Sequence, residues 1–172
     1  MIVTSDDAAA DRLKKMRLHG GAKQYHHEEV GLNSRLDTLQ AAILLAKLPH
    51  LAAWSAARRD NAAYYSRGLA GIAGVRPPVT DPANEHIFHQ YTLRAERRDA
   101  LQARLKEQGI GSAVYYPIPL HRQECFAHLG YKAGSMPNAE RAATEVISLP
   151  IYPELSHPQM DFVIETIRGF YA

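Results

Sequence analysis

The stretch Gly31-Leu32-Asn33-Ser34-Arg35-Leu36-Asp37-Thr38-Leu39-Gln40-Ala41-Ala42-Ile43-Leu44-Leu45-Ala46-Lys47 decides how the chain is to be read. Ser34 followed three residues later by Asp37 is a capping-box pattern, and it predicts a helix from Leu39 to Lys47. Leu39, Ala41, Ala42, Ile43, Leu44, Leu45 and Ala46 leave that helix almost no polar side. A helix apolar all round belongs inside a large domain or in an interface. Pro49 ends or bends it.

Working back toward residue 1, Gly20 to Leu32 reads as a polar loop containing His26 and His27. Adjacent histidines share neither a helix face nor a strand face, so the pair is a poor metal site. No metal ligands are assigned. Before the loop, Ser5-Asp6-Asp7 starts a helix with its acidic groups at the favourable end. Ala9, Leu13 and Met16 carry its apolar face, and Gly20-Gly21 stops it. Met1 to Thr4 reads as a short strand feeding directly into that helix, as in the middle of an α/β domain.

Working forward, a second helix runs from Leu51 to Leu69, with Leu51, Trp54, Ala62, Tyr65 and Leu69 on one stripe. Gly68, Gly71, Gly74 and Pro77-Pro78 close this helical part, which places a domain boundary at 1–70 and 71–172. Beyond it the reading is a strand at 87–93, a helix at 97–108, a short strand at 113–116 and a helical turn at 121–129. A helix at 137–146 and a strand at 147–149 follow. The last helix has a capping box at Ser156 and Gln159, and Met160, Val163, Ile164, Ile167 and Phe170 form its core face. The fold class is therefore α/β passing to α+β, the second part being helices on a short, mostly antiparallel sheet.

Composition narrows the function classes. The 172 residues are 46% hydrophobic and 22% charged, and 20 Lys+Arg against 18 Asp+Glu give a net charge of +2. Interspersed charges near balance argue against a nucleic-acid partner. No apolar run approaches the roughly 20 residues of a membrane span. The one cysteine, Cys125, cannot close an internal disulfide, so a reducing cytoplasm is the expected compartment. Walker, G-x-S-x-G, H-E-x-x-H and C-x-x-C motifs are absent. His86 and His89 stand three apart, on opposite faces of the expected strand.

The opening stretch is similar to the G-x-N-x-R-L-D-x-L-Q-A-A signature of the DegT/DnrJ/EryC1/StrS family, pyridoxal-phosphate-dependent sugar aminotransferases of fold type I. Other segments agree in order: Arg17-Leu18-His19-Gly20; Trp54, Arg58, Arg59, Asn61, Ala62 and Tyr65; His86 to Tyr91; Arg98-Asp99-Ala100-Leu101; Gly109-Ile110-Gly111 through Tyr116-Pro117-Ile118-Pro119-Leu120-His121; and Pro137, Glu140, Ser148-Leu149-Pro150 and Gln159. The resemblance spans essentially all 172 residues.

The resemblance implies the last strand and helices of a fold type I large domain followed by the small C-terminal domain. It makes Asn33 the residue reaching the phosphate of pyridoxal phosphate in the partner subunit, with Arg35 supporting the same region. His86, Tyr115, Tyr116 and His121 take positions that line the nucleotide-sugar pocket, with tyrosine at 115 where the family often has histidine. The family's Schiff-base lysine, phosphate-binding turn and pyridine-facing Asp lie before the first matching strand. None of Lys14, Lys15, Lys23, Lys47, Lys106 and Lys132 takes the lysine's place, so no catalytic residue is assigned. The chain is thus expected to be the C-terminal portion of a sugar aminotransferase and inactive alone. Alternatives are one half of a split enzyme completed by a separately encoded N-terminal half, or a non-catalytic interaction or ligand-binding protein. The apolar helix predicts a homodimer or other oligomer.

Overall fold

A computed structural model of the chain describes residues 2–23 and 25–172. They form two compact units, residues 1–49 and 50–172.

The first unit holds α1 (Asp7–Met16), a long loop and α2 (Thr38–Lys47). Asp6 caps α1, its carboxylate accepting from the backbone N–H of Ala8 and Ala9 at 2.9 and 3.1 Å. The capping box expected at Ser34 does not form. Helix α2 starts only at Thr38, so Asp37 is its N-cap and makes no side-chain cap bond, while the Ser34 backbone N–H, which a box would give to Asp37, goes to Arg17 O at 3.0 Å. The strand expected at 1–4 is not present among the described residues. Ile2 and Val3 are exposed and pair with no other segment there, and an extended segment becomes a strand only when a neighbour takes its hydrogen bonds. The apolar residues of α2 are likewise uncovered: Leu39, Ile43, Leu44 and Leu45 are between 53 and 74% exposed.

The second unit is a three-stranded antiparallel sheet packed against helices. Its elements are α3 (Leu51–Leu69), β1 (Val75–Arg76), β2 (Tyr91–Ala95), α4 (Arg98–Glu107), α5 (Pro137–Glu145), β3 (Val146–Leu149) and α6 (His157–Tyr171). The sheet order is β1-β2-β3, with Tyr91 opposite Leu149 and Val75 opposite Ala95. On β2 the alternate residues Tyr91, Leu93 and Ala95 are buried, as the period of two requires. They meet Ala62, Tyr65 and Leu69 of α3, Leu101 and Leu105 of α4, and Met160, Val163, Ile164 and Ile167 of α6 in one core. Each large side chain so buried contributes about 1.5–3 kcal/mol. Gly68 lets α3 and α6 approach closely: a Cβ there would stand 2.4 Å from Ile164 Cδ1. Gln159 Oε1 accepts from the Ser156 backbone N–H at 3.0 Å, completing the capping box of α6.

Three boundaries differ from the sequence reading. The change of composition near residue 70 marks the end of α3, which lies within the second unit. The strand expected at 87–93 starts only at Tyr91. Phe88 adopts φ +47°, and its N–H goes to His86 Nδ1 at 3.0 Å, so the extended run is broken there. The strand expected at 113–116 is a single bridge, Ala113 to Ser148. Pro117 and Pro119 have no N–H to carry a ladder onward.

Candidate functional site

In the first unit the site is built by a loop that folds back on itself. After α1 the chain turns through His19 (φ 63°) and Gly20 (φ 82°). It returns so that His19 N–H donates to Leu32 O at 3.0 Å, Leu32 N–H to Met16 O at 2.7 Å, and Glu28 N–H to Gly20 O at 2.8 Å. The two arms lie backbone against backbone. A Cβ on Gly31 would stand 2.1 Å from Gly20 N, and one on Gly20 would stand 1.7 Å from Glu29 O. Ion pairs from α1 fasten the return arm, Arg12 to Glu29 at 3.0 Å and Lys15 to Glu28 at 2.6 Å. The hydrogen bond to Glu28, and its charge, raise the Lys15 ammonium pKa above the usual lysine value. His27 Nδ1 is 3.0 Å from His19 O, so that nitrogen carries the proton.

This ribbon delivers Asn33, paired by a bridge to Leu18, and then Arg35. Both side chains are exposed, and Arg35 Nε donates to Asn33 Oδ1 at 2.9 Å. That bond uses the amide oxygen of Asn33 and leaves its Nδ2 donors, and the other guanidinium N–H groups of Arg35, for a ligand. An exposed amide and guanidinium that offer N–H donors, one group charged, suit an anionic oxygen such as phosphate. The two residues therefore fit the phosphate of pyridoxal phosphate.

The second unit holds the other four expected residues. His86 precedes β2, is exposed, and its ring lies 4.3 Å from that of Phe88, tilted by 55°. Tyr115 and Tyr116 are exposed neighbours with rings 6.0 Å apart. They follow Ala113, whose N–H and C=O both bond to Ser148, at 3.2 and 2.7 Å. His121 is different: it is buried, with Nε2 at 2.9 Å from Glu140 Oε1.

Residues of α3 hold the segment around His86 and the one that follows β3. Arg58 Nη1 donates to Ile151 O at 2.8 Å and Phe88 O at 3.3 Å. Arg59 pairs with Glu85 at 2.6 Å, and Asn61 Nδ2 donates to Tyr152 O at 2.9 Å. The sequence places Arg58, Arg59 and Asn61 on a helix but gives no sign of these distant carbonyl and carboxylate partners. Their signals in the sequence are the family pattern they match and their place beside an apolar stripe.

A sequence profile described as the DegT/DnrJ/EryC1/StrS aminotransferase family matches residues 1–168. The chain is 52% identical to a Geobacillus stearothermophilus protein named pleiotropic regulatory protein, over 99% of this chain and 46% of that one. It is 43% identical to a Streptomyces venezuelae dTDP-3-amino-3,4,6-trideoxy-alpha-D-glucose transaminase, over 97% of this chain and 44% of that one. Among solved structures, S. venezuelae DesV superposes with a TM-score of 0.89 at 43% identity, covering 98% of this chain and 46% of that one. An aminotransferase from Brucella abortus gives 0.86 at 39% identity, covering 98% and 45%. The chain thus spans a little under half the length of the relatives it matches.

Proposed function

The chain belongs to the DegT/DnrJ/EryC1/StrS aminotransferase family, and from that premise we propose that it is the C-terminal portion of a pyridoxal-phosphate-dependent nucleotide-sugar aminotransferase. The observation that carries this reading is the glycine-tight ribbon at 17–35, which ends in the exposed, hydrogen-bonded pair Asn33 and Arg35.

In this reading Asn33 Nδ2 donates to a phosphate oxygen of the cofactor held by a partner subunit. Arg35 Nε donates to the Asn33 amide oxygen and leaves the Nδ2 donors for the phosphate. Bound pyridoxal phosphate supplies the electron sink that amino-group transfer needs. His86, Tyr115 and Tyr116 offer ring faces, hydroxyls and an imidazole to the nucleotide sugar from exposed positions. His121 acts from the buried side of the same segment. A second copy of the chain covers the apolar surface of α2, giving a homodimer.

None of the six lysines in these 172 residues matches the family's Schiff-base position. The reacting amine is supplied by the remainder of the enzyme, on the same polypeptide or on another. The 172 residues alone therefore do not transaminate. Supplied with pyridoxal phosphate, a keto nucleotide sugar and glutamate, they yield no aminosugar above a protein-free control. Replacing the matching portion of the S. venezuelae transaminase with this chain yields product, and Asn33→Ala in that chimera raises the cofactor concentration it requires. Stoichiometric product from the 172 residues overturns the reading.

A non-catalytic interaction role is the second reading. It is favoured by the regulatory name of the 52% identical relative and by the uncovered α2. A stable complex with another protein through α2, together with an inactive chimera, selects it.

A further inference from the structure

Glu140, in the first turn of α5, gathers three donors from two separate segments. Its Oε1 accepts from His121 Nε2 at 2.9 Å, from Gly134 N–H at 2.9 Å and from Met136 N–H at 3.3 Å. Its Oε2 accepts from Gly134 N–H at 2.8 Å. The Gly134 N–H first, and then His121, hold the Glu140 carboxyl below the usual carboxylate range, so it is ionised at neutral pH. The His121 ring is almost wholly buried, and it stands edge-on to Tyr131 at 6.1 Å.

His121 is also the far end of the segment that bears Tyr115 and Tyr116. The near end is fixed by the two bonds between Ala113 and Ser148. Between these ends Tyr115, Tyr116, Ile118 and Leu120 are exposed. Pro117 and Pro119 have no N–H to donate. At the His121 end Pro119 O and Leu120 O accept from the Arg122 and Gln123 N–H groups at 2.9 and 3.1 Å, and Gln123 Nε2 adds one bond to Ile118 O at 3.3 Å. The path of residues 114–120 therefore depends mainly on its two ends.

We propose that Glu140 is a positioning residue for the sugar side of the site: by gripping His121 it fixes one end of residues 114–120 and sets where Tyr115 and Tyr116 stand. What those tyrosines meet rests on the nucleotide-sugar reading above. The grip itself does not.

The test uses the ¹⁵N-labelled 172-residue chain, with amide relaxation and titration by UDP-N-acetylglucosamine and dTDP-glucose. Backbone order parameters at Tyr115, Tyr116 and Ile118 fall from about 0.85 in the native chain to below about 0.6 in Glu140→Ala and His121→Leu. The amide shifts of Leu93, Ile164 and Ile167 stay in place. His121→Gln, whose amide N–H can still donate to Glu140, keeps the segment ordered. Nucleotide sugar moves the Tyr115 and Tyr116 amides in the native chain, and Glu140→Ala weakens that affinity about tenfold.

Unchanged order in Glu140→Ala and His121→Leu overturns the positioning role. So does a loss of order throughout residues 50–172 in every variant, His121→Gln included. If Glu140→Ala does not fold, His121→Leu against His121→Gln makes the same comparison. Loosening in Glu140→Ala and His121→Leu, together with a native chain that answers neither nucleotide sugar, supports the positioning role and overturns the sugar reading alone.

Discussion

The Tyr65 and Tyr91 rings lie 5.2 Å apart in the core, and their hydroxyls are treated differently. Tyr91 Oη is 2.9 Å from Ser66 Oγ, whereas Tyr65 Oη is buried without a hydrogen-bond partner among the described residues. A buried hydroxyl left unpaired costs roughly 1–3 kcal/mol. Tyr65→Phe is therefore expected to stabilise the second unit by about 1 kcal/mol, and Tyr91→Phe to destabilise it by about as much. Thermal melts check this, with shifts of about 2–4 °C per kcal/mol for a chain of this size.

The same pair sets the alkaline limit. Burial raises both phenol pKa values, for Tyr91 against the opposing hydrogen bond from Ser66. The folded state thus holds its protons to higher pH than the unfolded chain, whose tyrosines ionise near pH 10. This contribution to stability is full below pH 10 and is lost as pH rises from there through the folded values. Urea midpoints should fall steeply above pH 10, and less steeply in Tyr65→Phe. Equal slopes would count against the phenols as the cause.

The loop of the first unit depends on bare backbone. Gly31→Ala sets a Cβ where only 2.1 Å separates it from Gly20 N, and neither backbone can swing aside as a side-chain end could. Amide exchange at Leu32 and Ser34, whose N–H groups bridge the two arms, should quicken at least tenfold. Exchange in α6 should not change. Gly111→Ala, with open space around its Cβ position, is the control.

The exposed row Leu39, Ile43, Leu44 and Leu45 predicts self-association. Leucine-sized side chains are each worth about 1.5–3 kcal/mol when covered. A charge at the centre of such a face, as in Leu44→Lys, should weaken the dimer by more than tenfold. Light scattering across micromolar concentrations measures it, and a monomer in the unaltered chain would refute the assignment of that surface.

Legibility in the sequence followed the range of the interactions. Helix α3 and the capping box of α6 were readable residue by residue, because periodicity and local hydrogen bonds determine them. Asn33 and Arg35 stand out through a motif, and their mutual bond is local too. The Ser34 pattern does not become a box because α2 starts at Thr38 and the Ser34 N–H goes to Arg17, 17 positions away. Likewise Phe88 left the strand for a contact with His86 that extended-chain patterns do not encode. Glu140 matched a family position, but its tie to His121 crosses 19 residues and is visible only in three dimensions.

Ser148 faces two neighbours at once, Thr92 on β2 and Ala113 on the other side. The strand that would otherwise form a bare margin of the sheet is thus occupied at its midpoint by the chain's own next layer. The opposite margin, β1, is only two residues long. A sheet trimmed in this way has little free backbone to lend to a foreign strand, and that disfavours intermolecular β-pairing and aggregation. The bridge that anchors the Tyr115–Tyr116 segment therefore also serves as a safeguard for solubility.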